Sequence, residues 1–226
     1  MEDMRVFSDD FERRSPRHGN LSAVTPNRSG SALERAYPGG KRIAKRTIDA
    51  VLAIAALALL APLMLVIAAA IKLDDGGAVL SRQKRRDFEG RFFSVYKFRT
   101  IPIVPTPGGA ARSTRLGRML TRSGVIELPQ FFNVVRGEMS LVGLRPGAFA
   151  GDPRYEAAIS EYARHNHIKL GITGWAQVNG LLGARDSVDG MDRQIQLDVW
   201  YIENQSLILD FKIIWRTCFA LIRKAA

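Results

Sequence analysis

The sequence predicts a small, mostly helical α/β domain attached to a membrane through an apolar helix near its N-terminus. Residues 50–71 are uncharged and apolar, two later segments favour β-strands, and most of the remainder has the pattern of helices. The chain has 226 residues, of which 46% are hydrophobic, so it can bury one core of ordinary size. We therefore expect a lead-in at 1–40, a membrane segment at 41–73 and a cytoplasmic domain at 74–226.

The lead-in is rich in Arg, Ser, Pro, Gly and Asp and has no apolar periodicity, which predicts disorder. It contains no apolar stretch of the kind that a secretory signal peptide carries, so we expect no cleaved signal.

The apolar run from Ala50 to Ile71 is long enough to cross a bilayer, since a helix rises ~1.5 Å per residue against a hydrocarbon core of ~30 Å. A plain single-pass anchor is one interpretation. Pro62 argues against it, because proline removes a backbone hydrogen bond and bends a helix. Basic residues also stand on both flanks, at 41–46 and 82–86, whereas a spanning helix leaves one flank poor in them. We expect the helix to enter the membrane, break at Pro62 and return.

The domain that follows begins with two predicted strands, 78–83 and 91–100, on either side of a turn. Helices are expected at 115–122, 127–136, 154–165 and 189–204. In the last of these, Ile195, Val199 and Ile202 recur at helical spacing and should share one face. The final stretch, 207–224, is apolar with scattered Lys and Arg. It packs into the core or lies as an amphipathic helix in the membrane interface, and we favour the interface.

The formal net charge of +11 indicates anionic partners. Arg115, Arg118 and Arg122 would share one face of a helix. Nucleic acid is not expected, because no aromatic side chains interleave with these residues and no nucleic-acid module is recognisable. Lipid headgroups or nucleotide phosphates fit better beside an apolar segment. A single cysteine, Cys218, excludes an intramolecular disulfide, and no Cys or His cluster has the spacing of a zinc site.

The segment YKFRT carries Lys97 and Arg99 two residues apart, which places both on one side of a strand. Two cations on one face can hold a diphosphate. A solvated strand face is the plainer interpretation of the same pattern.

The run ELPQFFNVVRGEMSLVGLRP, residues 127–146, closely resembles the signature of the bacterial sugar transferase family, the monotopic phosphoglycosyl transferases. YKFRT and the segment at 168–180 resemble further motifs of that family, and the resemblance covers residues 41–222. It implies a re-entrant, broken membrane helix joined to a small catalytic domain. The apolar run is preceded by the Lys-Arg-x-x-Asp pattern of the family, here Lys45, Arg46 and Asp49.

The predicted catalytic positions are Ile126 and Glu127, where the family reads Asp-Glu. The resemblance implies that the Asp attacks the phosphate next to the sugar of a nucleotide sugar, that the nucleoside monophosphate leaves, and that polyprenyl phosphate then takes up the phosphosugar. Glu127 corresponds to the Glu that helps to hold Mg²⁺. Ile126 has no lone pair and cannot attack phosphorus, and Glu127 would have to leave the metal to replace it.

Several matched positions imply contacts with the substrate. Arg145 offers a planar guanidinium that suits bidentate phosphate binding. Leu144 and Leu170 stand where the family has proline, and the change at 144 frees φ in the loop that aims Arg145. The predicted substrate-binding residues are Lys97, Arg99, Arg115, Arg118, Arg145, Pro146 and Gln177.

The resemblance implies a phosphoglycosyl transferase on the cytoplasmic face of a bacterial inner membrane, at the first step of exopolysaccharide or other surface glycan assembly. It would convert a UDP-sugar and polyprenyl (undecaprenyl) phosphate into polyprenyl-diphosphate-sugar and UMP, with Mg²⁺ as cofactor. The ending at 197–204 resembles exopolysaccharide-type members, which favours a hexose. Membrane lipid is a further expected partner, and a homodimer is the assembly we consider.

Two alternatives stay open. One is a non-catalytic member that binds nucleotide sugar or a partner enzyme, and Ile126 favours it. The other is a single-pass membrane protein whose basic domain binds acidic partners.

Overall fold

The apolar run forms the middle of a long helix, α1 (Gly39–Asp75). The structure is a computed structural model and describes residues 39–100, 114–145, 159, 163–164, 167–180 and 188–225. The later elements are β1 (Leu80–Arg86), β2 (Phe92–Phe98), α2 (Arg115–Ser123), a 3₁₀ turn (Val125–Glu127), α3 (Gln130–Arg136), β3 (Ser140–Val142), β4 (Gly171–Thr173), α4 (Trp175–Val178), α5 (Val188–Glu203) and α6 (Leu207–Ala225). The described part of the domain is mostly helical, as the sequence predicts. It contains two small sheets, of which the sequence predicts only the first, β1–β2.

Pro62 lies inside α1, which is helical on both sides of it, so the predicted break at this residue does not end the helix. A proline inside a helix costs about 3 kcal/mol. The neighbouring residues are mostly Ala and Leu, which are among the strongest helix formers, and they favour helix on either side. Within the described chain, α1 is the one helix long and apolar enough to cross a membrane, by length and composition.

Both ends of α1 pack against the domain, whereas the middle of the helix is exposed. Ala53, near the start, is fully buried in the larger apolar cluster, which also contains Val95 of β2. Ile67 and Ile71, near the end, are buried in a second cluster together with Phe98 of β2. Only 11% of the most apolar window of the helix is buried. The domain therefore holds both ends of the helix and leaves its middle uncovered.

Buried polar side chains join the start of α1 to the domain. Lys45 Nζ lies 2.6 Å from Asp210 Oδ2 of α6 and 3.6 Å from Asp49 Oδ2. The Ser140 hydroxyl donates to Asp49 at 2.6 Å, and the Tyr201 hydroxyl donates to Asp210 at 2.8 Å. Each buried carboxylate thus has both a cation and a hydroxyl, which offsets the loss of hydration on burial.

Arg46 binds the C-terminal end of α3. Its guanidinium donates to the carbonyl oxygens of Val134 and Val135, at 2.5 and 2.7 Å. A helix leaves its last carbonyls without internal partners, and a cation is favourable at that end. The pattern at 45–49, predicted to mark the membrane segment, therefore consists of side chains that bind the domain.

β1 and β2 form the antiparallel hairpin that the sequence predicts, with Leu80 opposite Phe98. Asp87 closes the turn between them. Its carboxylate accepts hydrogen bonds from the backbone N–H of Arg91 at 2.7 Å and from the Arg91 Nε at 2.9 Å. β2 ends at Phe98, whose side chain is buried beside Ile67 and Ile71 of α1.

β3 and β4 form a short parallel pair, with Ser140 opposite Gly171. The two backbones approach so closely that a Cβ added to Gly143 would lie 2.3 Å from the carbonyl oxygen of Lys169. A Cβ added to Gly171 would lie 2.2 Å from the backbone nitrogen of Gly143. Neither position has room for a side chain.

Two of the predicted helices, 115–122 and 189–204, are confirmed as α2 and α5. In α5, Ile195 and Ile202 are buried and Val199 packs against the same core, as their spacing predicts. The helix predicted at 154–165 falls mostly outside the described residues.

The C-terminal helix α6 packs one face into the core, the first of the two alternatives that its sequence offers, and leaves other apolar residues exposed. Leu209 and Ile213 are buried in the core. Phe211, Trp215 and Phe219 are exposed, so an apolar face remains on the outside of the helix. This arrangement is the one expected of an amphipathic helix.

Candidate functional site

The candidate site is built around the 3₁₀ turn between α2 and α3, which carries Ile126 and Glu127. Gly124 ends α2 with a left-handed φ of 78°, a conformation that glycine adopts without strain. Pro129 precedes α3 with a φ of −61°, close to the value that its ring fixes. The helix predicted from residue 127 therefore begins at Gln130, and Glu127 lies in the turn before it.

Lys97 of β2 and Arg145, which follows β3, converge on Glu127. The Lys97 Nζ lies 3.4 Å and the Arg145 Nη2 lies 3.3 Å from the same oxygen, Glu127 Oε1. The exposed fractions of the three side chains are only 21–23%, so the site is partly shielded from water and its charges interact more strongly than at an open surface. Both distances exceed the ~2.7–2.9 Å of a strong charged hydrogen bond. Neither cation is locked onto the carboxylate, and either can turn to an anionic ligand.

Arg99, predicted to join Lys97 in binding phosphate, follows the end of β2. Its Nε donates to the Ala78 carbonyl at 2.5 Å, a bond that fixes the approach to β1. Arg115 and Arg118 lie on α2 as predicted, and both side chains are exposed. α2 and the 3₁₀ turn are in contact, so these cations lie on a neighbouring element of the Glu127 site.

Ile126 differs from Glu127 in its surroundings although the two are adjacent. Its side chain is partly buried and packs against the second apolar cluster, which contains Phe98, Leu120 and Ile67. Position 126, where the family resemblance implies a nucleophile, is therefore occupied by a side chain that packs beside the end of α1.

Gln177 lies on the short helix α4. Its Oε1 is buried and has no hydrogen-bond partner among the residues that the structure describes. Among the described residues, no hydrogen bond joins the Gln177 side chain to Glu127. Pro146, also predicted to bind substrate, lies outside the described residues. The structure therefore brings together Lys97, Arg145 and Glu127 from the predicted set.

Asn133 is a residue of the site region that sequence reasoning missed. It is fully buried in α3, and its Oδ1 accepts a hydrogen bond from the Tyr96 backbone N–H at 3.1 Å. Its Nδ2 donates to the Ser94 carbonyl at 2.7 Å and to Glu138 Oε2 at 2.5 Å. Asn133 thereby fixes β2, which carries Lys97, against the helix that follows Glu127. A single amide within the apolar stretch FFNVV was the available signal.

A metal ion at this site would depend on Glu127. In the described ranges, no group of three or more His, Cys, Asp or Glu side chains is placed to hold a metal. One carboxylate is nevertheless sufficient for Mg²⁺ when phosphate oxygens and water complete its coordination. The residues present therefore fit a magnesium ion that arrives with a diphosphate, and they do not form a preassembled metal cage.

Comparison with known proteins identifies the family to which this sequence is similar. The sequence model of the family described as "Bacterial sugar transferase" matches residues 40–224. The chain is 38% identical over 196 residues to the UDP-glucose:undecaprenyl-phosphate glucose-1-phosphate transferase of Escherichia coli (strain K12), covering 83% of this chain and 42% of that protein. It is 43% identical over 198 residues to the protein of the same name from Caulobacter vibrioides, covering 82% of this chain and 74% of that protein.

A third relative is the "Exopolysaccharide production protein PSS" of Rhizobium leguminosarum bv. phaseoli, 37% identical over 186 residues. That match covers 77% of this chain and 93% of the relative. The chain therefore spans less than half the length of some curated relatives that it matches and nearly all of others.

Proposed function

Because this chain belongs to the bacterial sugar transferase family, we propose that it moves a sugar-1-phosphate from a UDP-sugar to undecaprenyl phosphate, as the first step of exopolysaccharide or other surface glycan assembly. The observation that carries the proposal is the convergence of Lys97 and Arg145 on Glu127. Two cations beside one carboxylate form a place where a diphosphate and its counterion can bind. The names of the relatives support glucose as the sugar, in agreement with the hexose expected from the sequence.

In this proposal Lys97 and Arg145 bind the diphosphate of the UDP-sugar. Their charges neutralise the phosphate oxygens, and the planar guanidinium of Arg145 can bind two of them at once. Arg99 and the exposed Arg115 and Arg118 provide further positive charge on elements next to the site. Glu127 would hold Mg²⁺ with the phosphate oxygens, and the ion when bound offsets the charge of the diphosphate.

The covalent route implied by the family requires a carboxylate at position 126. One of its oxygens would bond to the phosphorus next to the sugar, while the bond from that phosphorus to the bridging oxygen breaks and UMP leaves with the electron pair. Ile126 offers no such oxygen. Glu127 is the adjacent carboxylate, and to attack it would have to leave Lys97 and Arg145.

Binding of nucleotide sugar without turnover is the second candidate function. It is favoured by the packing of Ile126 into the apolar cluster, since a site under selection for attack on phosphorus has no use for an apolar side chain there. In this alternative the cations keep their role in binding. The chain binds nucleotide sugar or a partner enzyme without transferring the sugar phosphate.

We further propose that α1 bends at Pro62 without ending there and is re-entrant, and that the domain lies on the cytoplasmic face of the inner membrane. A helix that crossed a hydrocarbon core of ~30 Å would bring its two ends to opposite sides. The burial of Ala53 and Ile71 against the same domain, together with basic residues on both flanks, favours entry and return on one side. The exposed apolar face of α6 would lie in the interface beside it.

The experiment that tests the proposed function is a turnover assay on the full chain in detergent with undecaprenyl phosphate, Mg²⁺ and a panel of UDP-sugars. Release of UMP with formation of a lipid-linked sugar supports the transferase. Saturable binding of a UDP-sugar without release of UMP supports the second candidate. Absence of both binding and release would contradict both.

A further inference from the structure

A cavity lined by several basic side chains lies apart from the Glu127 site, beside the start of α1. It has a volume of about 450 Å³, and its walls come from α1, the β1–β2 turn, β3, the segment before β4 and the end of α5. Arg46 lines it and binds the C-terminal carbonyls of α3, while Glu127 precedes the N-terminus of that helix. The seven-residue helix separates the two by about 10 Å. The proposed transfer reaction leaves this cavity without a role.

The cations that line the cavity outnumber its two carboxylates, Asp49 and Glu89, so positive charge is only partly neutralised. Lys45 is paired with Asp49 and Asp210, and Arg91 is paired with Asp87 and Glu89. Within the described part of the chain, Arg46 donates to the carbonyls of Val134 and Val135, and Lys169 Nζ donates to the Gly137 carbonyl at 2.6 Å. A carbonyl group satisfies a donor and leaves its full charge in place. The pKa of Lys169 is lowered, first by partial loss of hydration and then by the nearby Arg46 and Arg91, and the carboxylates of Glu89 and Asp49 offset this only in part.

The cavity also has an apolar wall, which a site for a free inorganic ion would not need. Ile43, Met139, Val142 and Ile168 line it together with the cations. Its position suits an amphiphile. The apolar run of α1 begins at Ala50, so Lys45, which also lines the cavity, lies about 8 Å from it along the helix. The headgroup layer of a bilayer is of comparable thickness.

We infer that this cavity binds the headgroup of an anionic phospholipid. The Lys169 ammonium and the Arg46 guanidinium bind the phosphate, and the apolar wall receives the glycerol and the first acyl carbons. Arg91 is paired with Asp87 and Glu89 and contributes only to the surrounding charge. The bound lipid would hold the base of α1 at the depth of the headgroups. The inference rests on the proposed membrane association, and it is independent of turnover at Glu127.

The test uses the full chain, purified in detergent, and the shift of its thermal unfolding midpoint on addition of dioctanoyl phosphatidylglycerol. Dioctanoyl phosphatidylcholine and inorganic phosphate serve as probes of the lipid class and of the anion alone. The variants are Lys169→Gln, which removes the charge, Lys169→Arg, which keeps it, and Lys84→Gln, a matched loss of charge on the exposed β1 strand.

We expect phosphatidylglycerol to raise the midpoint of the unchanged chain, Lys169→Arg and Lys84→Gln. Lys169→Gln should bind it at least ten-fold more weakly, the change expected when a hydrogen bond to a charged group is lost. An equal response of Lys169→Gln and the unchanged chain would overturn the assignment. An equal shift with phosphatidylcholine or with inorganic phosphate would overturn it as well, since the site would then recognise something other than an anionic lipid. UMP release, measured in parallel, reports on the Glu127 site separately.

Discussion

Leu144 and Leu170 face each other across a parallel bridge that extends the β3–β4 pair. The backbone N–H of Leu144 donates to the Lys169 carbonyl at 3.3 Å, and Gly171 donates back to the Leu144 carbonyl at 2.8 Å. The family resemblance implies proline at both of these positions, and a proline at 144 could not make the first of these bonds. Two departures that are distant in sequence are therefore neighbours in the fold.

The bridge predicts an order of stability for variants at Leu144. Leu144→Pro loses one hydrogen bond, about 1 kcal/mol, and regains about 0.4–1 kcal/mol because proline restricts the unfolded chain. Leu144→Ala keeps the bond but empties a buried site, which costs about 2–5 kcal/mol. Chemical unfolding in detergent should rank the alanine variant below the proline variant. The reverse order would show that the backbone bond outweighs the side chain.

Asp210 predicts a pH dependence of stability. Burial raises the pKa of Asp210, and the charge and hydrogen bond of Lys45 offset this only in part. An acid whose pKa is higher in the folded state than in the unfolded state stabilises the fold at low pH, where it is protonated in both states. This contribution is complete below the unfolded pKa of about 3.9, and it disappears as the pH rises through the folded-state pKa. Relative to Asp210→Asn, the free energy of unfolding of the unchanged chain should fall over that range. A rise in the same comparison would contradict the direction of the shift.

Lys97 and Arg145 are expected to bind the phosphates of the nucleotide sugar. Changing Arg145 to Ala should weaken binding of UDP-glucose by about 1.5–3 kcal/mol, the range for a hydrogen bond to a charged group. Lys97→Ala should have a similar effect, and we expect the same of Arg99→Ala. Isothermal titration measures the loss, with Lys84→Ala as a control for the change in net charge. Unchanged affinity in a folded variant would remove that residue from the site.

Position 126 predicts the largest functional effect. Ile126→Asp should form a covalent phosphosugar adduct and release UMP, because it restores a carboxylate that can attack phosphorus. Ile126→Asn is the matched control, since it has a similar polar shape and no nucleophilic oxygen anion. Intact-protein mass spectrometry after incubation with a UDP-sugar and Mg²⁺ detects the adduct.

The outcomes at position 126 separate the two candidate functions. An adduct on the unchanged chain would show that another residue attacks, and Glu127 would be examined first. An Ile126→Asp variant that binds UDP-sugar and forms no adduct would favour the binding function.

The topology of α1 predicts one-sided labelling. With Cys218 replaced by Ser, single cysteines at Arg42 and at Lys84 should both react only with reagent on the cytoplasmic side. Labelling of either from the periplasm would revive the single-pass anchor. Pro62→Leu should drive a fraction of molecules to span, because it restores the hydrogen bond that proline removes.

Local pattern was sufficient for the hairpin and for the buried face of α5, since these depend on residues close in sequence. The match of YKFRT and LRP to family motifs anticipated that Lys97 and Arg145 share a site. The contact between Arg46 and the carbonyl of Val134, 88 residues away, had no local signature. The sequence also predicts a break at Pro62, whereas α1 continues through it. The prediction gave one helix-breaking residue more weight than the helix formers on both sides.

The close approach at Gly143 and Gly171 has a consequence for the history of this chain. A methyl group at either position would collide with the opposite backbone, so these glycines are demanded by folding alone, whether or not the protein ever turns over a substrate. A descendant that had abandoned catalysis would keep them for as long as it folded. The two glycines therefore report on the backbone fold, and they carry no information on whether the reaction takes place.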